Sequence, residues 1–424
     1  MYVSQLRMRG TDERVRNWLT PERIVFYCLG MLLLFIVMMA VWAWSSHAFT
    51  ERGAAGPGTD FSIFWSASYG LWHGSAAQVY DHVWFDGLQR RLFDDLHRSN
   101  LMPWLYPPTF LVFVSPLALL PPLVMYFVFV GGGLALCSAG TLRVSGLTGS
   151  LRGSRFAWLI VAASPCVLVP AIFGQNSLLT AALAVFALHW LRRAPLRAGL
   201  CIGLLAIKPQ MALLFPLVLI AARAWRTLAA ATLSAVLFSA FSVLVCGVQT
   251  AQQFLVNTGL ARTTLLEQSR SYWLASPTAF AALRDSGVPV AAAYAGQASV
   301  ALIAAASAWY VWRGTRDTRL RVAGLMVATL LANPYVWHYE LAWLGIALAC
   351  LIARGLDTGW LRGEQSVIAL AWLLPVYEFF NRVTELPQIG PVVLLLTLLI
   401  VVRRVRLGAD ARAGRAALVY SHAL

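Results

Sequence analysis

The sequence predicts an all-α, polytopic membrane protein, and three observations carry that prediction. Apolar runs of about 20 residues recur along the chain, each long enough to cross a bilayer as a helix. Only 12% of the 424 residues are charged, about half the share usual in a soluble domain. The positive charges are gathered into short arginine clusters between the apolar runs, the pattern expected of loops oriented by the positive-inside bias. This placement also accounts for the net charge of +15. The clusters are poor in interleaved aromatics, so nucleic acid is not an expected partner. The six cysteines are far apart inside apolar runs, without CxxC spacing. They read as small buried hydrophobes, with neither a zinc site nor a disulfide framework.

Taken in order, Arg7, Arg9, Arg14, Arg16 and Arg23 place residues 1–23 in the cytoplasm. Ile24 to Trp44 is the first span, too long for the apolar core of a cleaved signal and followed by many more spans. Residues 47–105 are the longest polar stretch and are expected outside. Two amphipathic segments, near 62–73 and 82–97, are expected to lie on the membrane surface. Residues 107–120 are either a short span or a re-entrant or interfacial helix. Only the second reading, with 122–141 as the one crossing, leaves Arg143, Arg152 and Arg155 in the cytoplasm, so the first outer loop is read as 47–121. The remaining runs then alternate consistently: 156–173, 177–191, a short pair 198–207 and 211–222, then 227–247, 289–312, 322–332, 341–353, 366–380 and 391–402. The result is a single membrane domain over 24–402 with about twelve spans. A second outer loop covers 248–288, and a cytoplasmic tail covers 403–424. A multi-pass protein of the inner (cytoplasmic) membrane with both termini inside is expected.

On this topology the unusual polar residues gather on the outer, periplasmic face, the default place to look for a site. Asp60, set among aromatics in Gly58-Thr59-Asp60-Phe61-Ser62-Ile63-Phe64-Trp65, is suited to take a proton as a general base. It is equally suited to cap a helix starting at Phe61. Lys208 is the only lysine in the chain and sits at a proline-broken junction, Lys208-Pro209-Gln210. A compact ammonium there suits a lipid phosphate, or snorkels to the interface. In Asn333-Pro334-Tyr335-Val336-Trp337-His338-Tyr339-Glu340, His338 and Glu340 would share a side on an extended segment and face apart on a helix. The same segment also reads as an interfacial aromatic belt. Arg262 and Arg270 lie in the second outer loop against the charge bias, either as phosphate contacts or as ordinary solvated loop residues. Gln175 and Asn176 lie on the same face.

These residues resemble glycosyltransferase family 87. Asp60-Phe61 with Tyr69, Gly74 and Val79-Tyr80-Asp81 is similar to that family's opening element. Tyr106-Pro107-Pro108 with Ser115-Pro116-Leu117 is similar to the next. Gly174-Gln175-Asn176, Ala206-Ile207-Lys208-Pro209-Gln210 and Asn333-Pro334 with Trp337-His338-Tyr339 follow in the right order, over about residues 58–345. The resemblance implies a GT-C-type fold and an inverting transfer of a sugar, mannose foremost, from a polyprenyl-phosphate donor to a lipid-linked or envelope glycan acceptor. It implies Asp60 as the base, with Lys208 and His338 near the donor phosphate; Arg262 and Arg270 join them as candidate phosphate contacts on the strength of their place in the outer loop. Tyr80, Asp81, Tyr106, Gln175, Asn176, Gln210, Asn333, Trp337, Tyr339 and Glu340 would line the substrates. No cofactor is expected beyond the lipid-linked co-substrate, and no metal, since Asp94-Asp95 lacks the DxD spacing. The rival readings are a transporter or flippase of lipid-linked sugars, and a pentose (arabinofuranose-type) transferase of the same fold. A transporter would call for internal repeats, and none is visible between the two halves.

Overall fold

The computed structural model describes residues 17–46, 56–93, 103–151 and 153–421. Among these residues every regular element is helical. Arg7, Arg9, Arg14, Arg16, Asp94, Asp95 and Arg152 lie outside them.

Helix α1 (Pro21–Ser45) begins where the Thr20 hydroxyl accepts from the Arg23 amide and Pro21 occupies the first turn, where its missing N–H costs nothing. Helix α2 (Thr59–His73) leads through a short turn into α3 (His82–Leu92). The stretch 107–120 becomes α4 (Pro108–Val114) and a 3-10 turn at Leu117–Leu119. At ~1.5 Å per residue, seven residues cover roughly 10 Å, a third of a bilayer core, so α4 cannot cross by itself. Pro121 and Pro122 then open α5 (Pro122–Ser145). Helices α6 (Ser154–Ala162) and α7 (Pro165–Phe173) follow, bent by 56° at their junction. Next come α8 (Ser177–Trp190), α9 (Pro195–Leu204), α10 (Phe215–Ala221), α11 (Trp225–Cys246) and α12 (Val248–Ala261). The chain ends with α13 (Val290–Gly314), α14 (Thr318–Ala332), α15 (Ala342–Thr358), α16 (Glu364–Thr384) and α17 (Gly390–Ser421).

Six stretches among the described residues are long and apolar enough to cross a membrane: α1, α5, α11, α13, α16 and His338–Thr358, which includes α15. The bent pair α6–α7 makes a seventh if it counts as one span. A total of twelve would require shorter helices such as α8, α9 and α14 to cross as well. Helices α1, α11 and α13 turn Leu33, Leu237, Leu302 and Ile303 outward, as lipid-facing helices do.

One expectation is overturned. Helix α2 does not lie on a surface: every residue from Thr59 to Ser68 is buried. It is enclosed because its aromatics have partners on all sides. Phe64 packs edge-on against Tyr106 at 5.4 Å and Phe110 at 5.0 Å, and Phe61 meets Tyr126 at 5.6 Å. These rings, with Tyr80, Phe85, Trp104 and Ile207, make an aromatic core distinct from the main one. The α3 segment does keep the expected two-sided character, with Phe85 and Leu88 buried and Arg90 and Arg91 exposed. The main core is built around α14, whose side chains from Val322 to Ala332 are all buried, with α15 and α17 packed against it. A third cluster joins Trp273 and Phe280 of the 262–285 region to Tyr335 and Trp337.

Candidate active site

The three clusters meet around a chain of buried polar side chains. Asp60 lies in the first turn of α2, where a negative charge is favoured by the helix dipole. It is not the cap: the N-cap position is Gly58, in the left-handed region at φ +75°. Its carboxylate Oδ2 accepts from Gln175 Nε2 at 3.0 Å. Gln175 reaches it because α7 ends at Gly174, at φ +69°, a conformation that glycine adopts without strain. A Cβ on Gly174 would stand 2.5 Å from the Phe61 Cβ, so this glycine also permits the close approach of α7 to α2. Tyr126 braces the same corner, donating its hydroxyl to the Ala171 carbonyl at 2.9 Å.

From Gln175 the contacts run onward. Its Oε1 accepts from the Asn176 amide at 3.0 Å and from the Tyr106 hydroxyl at 3.3 Å. Burial raises the Tyr106 phenol well above its ordinary range, and the Asp60 carboxylate adds to the effect, so Tyr106 stays a hydroxyl. Asn176 Oδ1 accepts from Lys208 Nζ at 3.4 Å. Lys208, buried at 5% exposure, forms an ion pair with Glu340 Oε1. Its ammonium also lies over the Tyr339 ring at 5.3 Å and the Tyr106 ring at 5.8 Å. The other Glu340 oxygen accepts from the Trp337 amide at 2.7 Å. Asn333 anchors the segment from the other side, donating to the Gln210 carbonyl at 2.9 Å. The structure thus brings together Asp60, Tyr106, Gln175, Asn176, Lys208, Tyr339 and Glu340, with Asn333, Gln210 and Trp337 at its edge.

Several expectations need correcting. Lys208 is not a free cation awaiting phosphate, because Glu340 already neutralises it. His338 and Glu340 do not share a side: the chain forms a 3-10 turn, His338–Leu341, in which positions two apart point in different directions. Glu340 turns to Lys208, while the His338 ring packs against Phe173 at 5.3 Å and Phe379 at 6.1 Å. Both His338 ring nitrogens are buried without a hydrogen-bond partner among the described residues. Asp81 caps α3, accepting from the Val83 and Trp84 amides at 2.9 and 3.0 Å. Tyr80 is buried and donates to the Tyr106 carbonyl at 2.8 Å, which makes it a brace for Tyr106. Arg262 pairs with Glu267 at 3.4 Å, and Arg270 with Asp285 at 3.2 Å and Glu385 at 2.7 Å. Both arginines are more than half exposed, and no contact joins them to the Asp60–Glu340 chain among the described residues.

Other residues had not been singled out. Asn257 of α12 donates to the Tyr80 carbonyl at 3.0 Å, tying the two outer loops together. Arg382 of α16 lies over the Trp337 ring at 5.5 Å. Glu378, one turn earlier, is fully buried and accepts from Gln388 at 2.8 Å. An acidic residue and an arginine at the end of the apolar run 366–380 were visible signals. Among the described residues, no group of three or more His, Cys, Asp and Glu side chains is placed to hold a metal ion.

The family model for glycosyltransferase family 87 matches residues 104–334, more than half of the chain. The chain belongs to glycosyltransferase family 87. It is therefore a membrane glycosyltransferase, which sets the transporter reading aside. No curated protein and no solved structure matches it. The matched region includes Tyr106, Gln175, Asn176, Lys208 and Asn333. Asp60 and Glu340 lie outside it, but each makes a direct side-chain contact with a residue inside it.

Proposed function

We propose that this family 87 enzyme transfers a sugar, mannose in the first instance, from a polyprenyl-phospho-sugar to a lipid-linked or glycan acceptor on the outer face of the cytoplasmic membrane. The observation that carries the reading is the position of Asp60, buried in the first turn of α2 and joined through Gln175 to the polar chain that ends at Glu340. Glu340 is committed to Lys208 and to the Trp337 amide, and Asp60 accepts on Oδ2 from the Gln175 amide. With Glu340 engaged by Lys208, Asp60 is the carboxylate placed to act as the base of an inverting displacement, rather than as one of a pair in a double displacement through a covalent intermediate.

In this reaction Asp60 takes the proton of the acceptor hydroxyl as its oxygen forms a bond to the anomeric carbon. The bond from that carbon to the phosphate oxygen breaks on the opposite face, and its electron pair leaves with the polyprenyl phosphate. Gln175 holds the carboxylate at the reacting face, which limits the geometries it explores. Lys208 is a positioning residue, fixing Asn176 and Glu340 around the same chain. His338, whose ring nitrogens have no partner among the described residues, is available to the donor phosphate.

The test is transfer by the purified full-length protein from polyprenyl-phospho-mannose, with products resolved by mass spectrometry. Asp60→Asn keeps the size of the side chain and removes the base. A loss of 100-fold or more in turnover is expected, the scale of a general base, with unchanged donor binding. Turnover close to that of the unaltered enzyme would exclude Asp60 as the base. Transfer from a polyprenyl-phospho-pentose and not from the mannose donor would exclude mannose.

A further inference from the structure

The ammonium in the chain from Asp60 to Glu340, that of Lys208, is matched by the Glu340 carboxylate, so this pair offers no net positive charge to a phosphodiester or to the departing phosphate. If the donor is a polyprenyl-phospho-sugar, as the reading above has it, its phosphate needs a cation elsewhere. The cations on or against segments 262–285 and 333–340 are mostly engaged. Lys208 pairs with Glu340, Arg262 with Glu267, and Arg270 with Asp285 and Glu385. Arg284 donates to the Glu267 and Val288 carbonyls at 3.1 and 2.6 Å and lies over Trp273 at 4.7 Å.

Arg382 differs from all of these. It is exposed, and among the described residues no carboxylate lies within ion-pair distance of it. Even Glu378, one turn back on α16, turns inward to Gln388. The guanidinium lies over Trp337, whose ring centroid is 5.2 Å from that of His338. Among the described residues, the Trp337 indole nitrogen, like both His338 ring nitrogens, is buried without a hydrogen-bond partner. The nearest carboxylate along this segment, that of Glu340, is neutralised by Lys208. Among the described residues, a guanidinium without a carboxylate therefore sits beside an unpartnered indole N–H and an unpartnered imidazole, next to a site whose ammonium is already neutralised.

We propose that Arg382 is the cationic ligand of the donor phosphate, with Trp337 and His338 as its neutral companions. Guanidinium suits this role because its fork of N–H groups matches two phosphate oxygens at once. The probe is undecaprenyl phosphate, which carries the phosphate and the chain without the sugar. Its binding to the full-length protein in detergent is measured by native mass spectrometry for the unaltered enzyme, Arg382→Gln, Arg382→Lys and Asp60→Asn. Arg382→Gln should weaken binding about tenfold or more, the loss of one charge-assisted contact. Arg382→Lys should recover part of it, and Asp60→Asn should bind as the unaltered enzyme does. Equal binding by Arg382→Gln and the unaltered enzyme would overturn the assignment of Arg382 and leave the donor class standing. Equal competition by phosphatidylglycerol would also overturn it, making Arg382 a general headgroup contact. Failure of the unaltered enzyme to bind undecaprenyl phosphate at all would remove the polyprenyl donor, and this ligand with it.

Discussion

Replacing Lys208 with methionine keeps an unbranched side chain of nearly the same length and removes its charge and its N–H donors. In the native protein the ammonium faces Glu340 with both side chains almost wholly out of solvent, at 6% and 2% exposure. Removing one partner of such a pair strands the other as an uncompensated buried charge, at a cost of about 3–5 kcal/mol. Glu340 keeps its contact with the Trp337 amide, which offsets only part of this loss. Adding Glu340→Gln removes the stranded charge, so the double variant should be more stable than Lys208→Met alone. The coupling between the two changes should fall at about 1–3 kcal/mol. Denaturant titration of the purified full-length protein, the two single variants and the double variant supplies the cycle. Additive losses, or a Lys208→Met protein as stable as the parent, would refute the reasoning that Glu340 depends on this cation. Kinetics give a second readout. Lys208 acts through Asn176 and Gln175 on Asp60, so kcat should fall while undecaprenyl phosphate binding holds, the reverse of what is expected at Arg382.

Two further outcomes follow from the corner that carries the base. Gly174→Ala forces a side chain into the left-handed region, about 1–2 kcal/mol of strain, and drives its Cβ against that of Phe61. Turnover should fall further than the melting temperature suggests, because the contact that yields is the one seating Asp60 beside Gln175; full turnover would show that the corner is tolerant. Asp81→Ala removes a helix cap, so about 1 kcal/mol of stability should be lost with no change in KM for donor or acceptor; a raised KM in a well-folded variant would return Asp81 to the substrates.

Much of this site was legible in the sequence because polar side chains are costly inside an apolar chain and persist only where they find partners. Asp60, Gln175, Asn176, Lys208 and Glu340 stand out for that reason, and they prove to be partners of one another. The roles were harder to read than the positions. Whether Lys208 binds a phosphate or neutralises a carboxylate depends on a residue 132 positions away, and no local pattern encodes that distance. Arg262 and Arg270 drew notice as outer-loop cations, but their carboxylates, Glu267, Asp285 and Glu385, lay unremarked in the same sequence. The enclosure of α2 was missed because its small and aromatic residues fit a membrane surface as well as an aromatic core. Its actual neighbours, Tyr106, Phe110 and Tyr126, come from segments more than 30 residues on.

The orientation of the Gln175 side chain decides what its neighbours can be. An amide group can present either its oxygen or its nitrogen to a neighbour, but here one end is fixed by a peptide N–H, that of Asn176, which can only donate. The oxygen must therefore face Asn176, and the nitrogen is left to face Asp60. Gln175 thus presents a donor, and never an acceptor, to that oxygen of Asp60. A glutamate at position 175 would take that donor away and set a second carboxylate against Asp60, so the neutral amide is what lets the base stand beside the Asn176 amide without a competing acid.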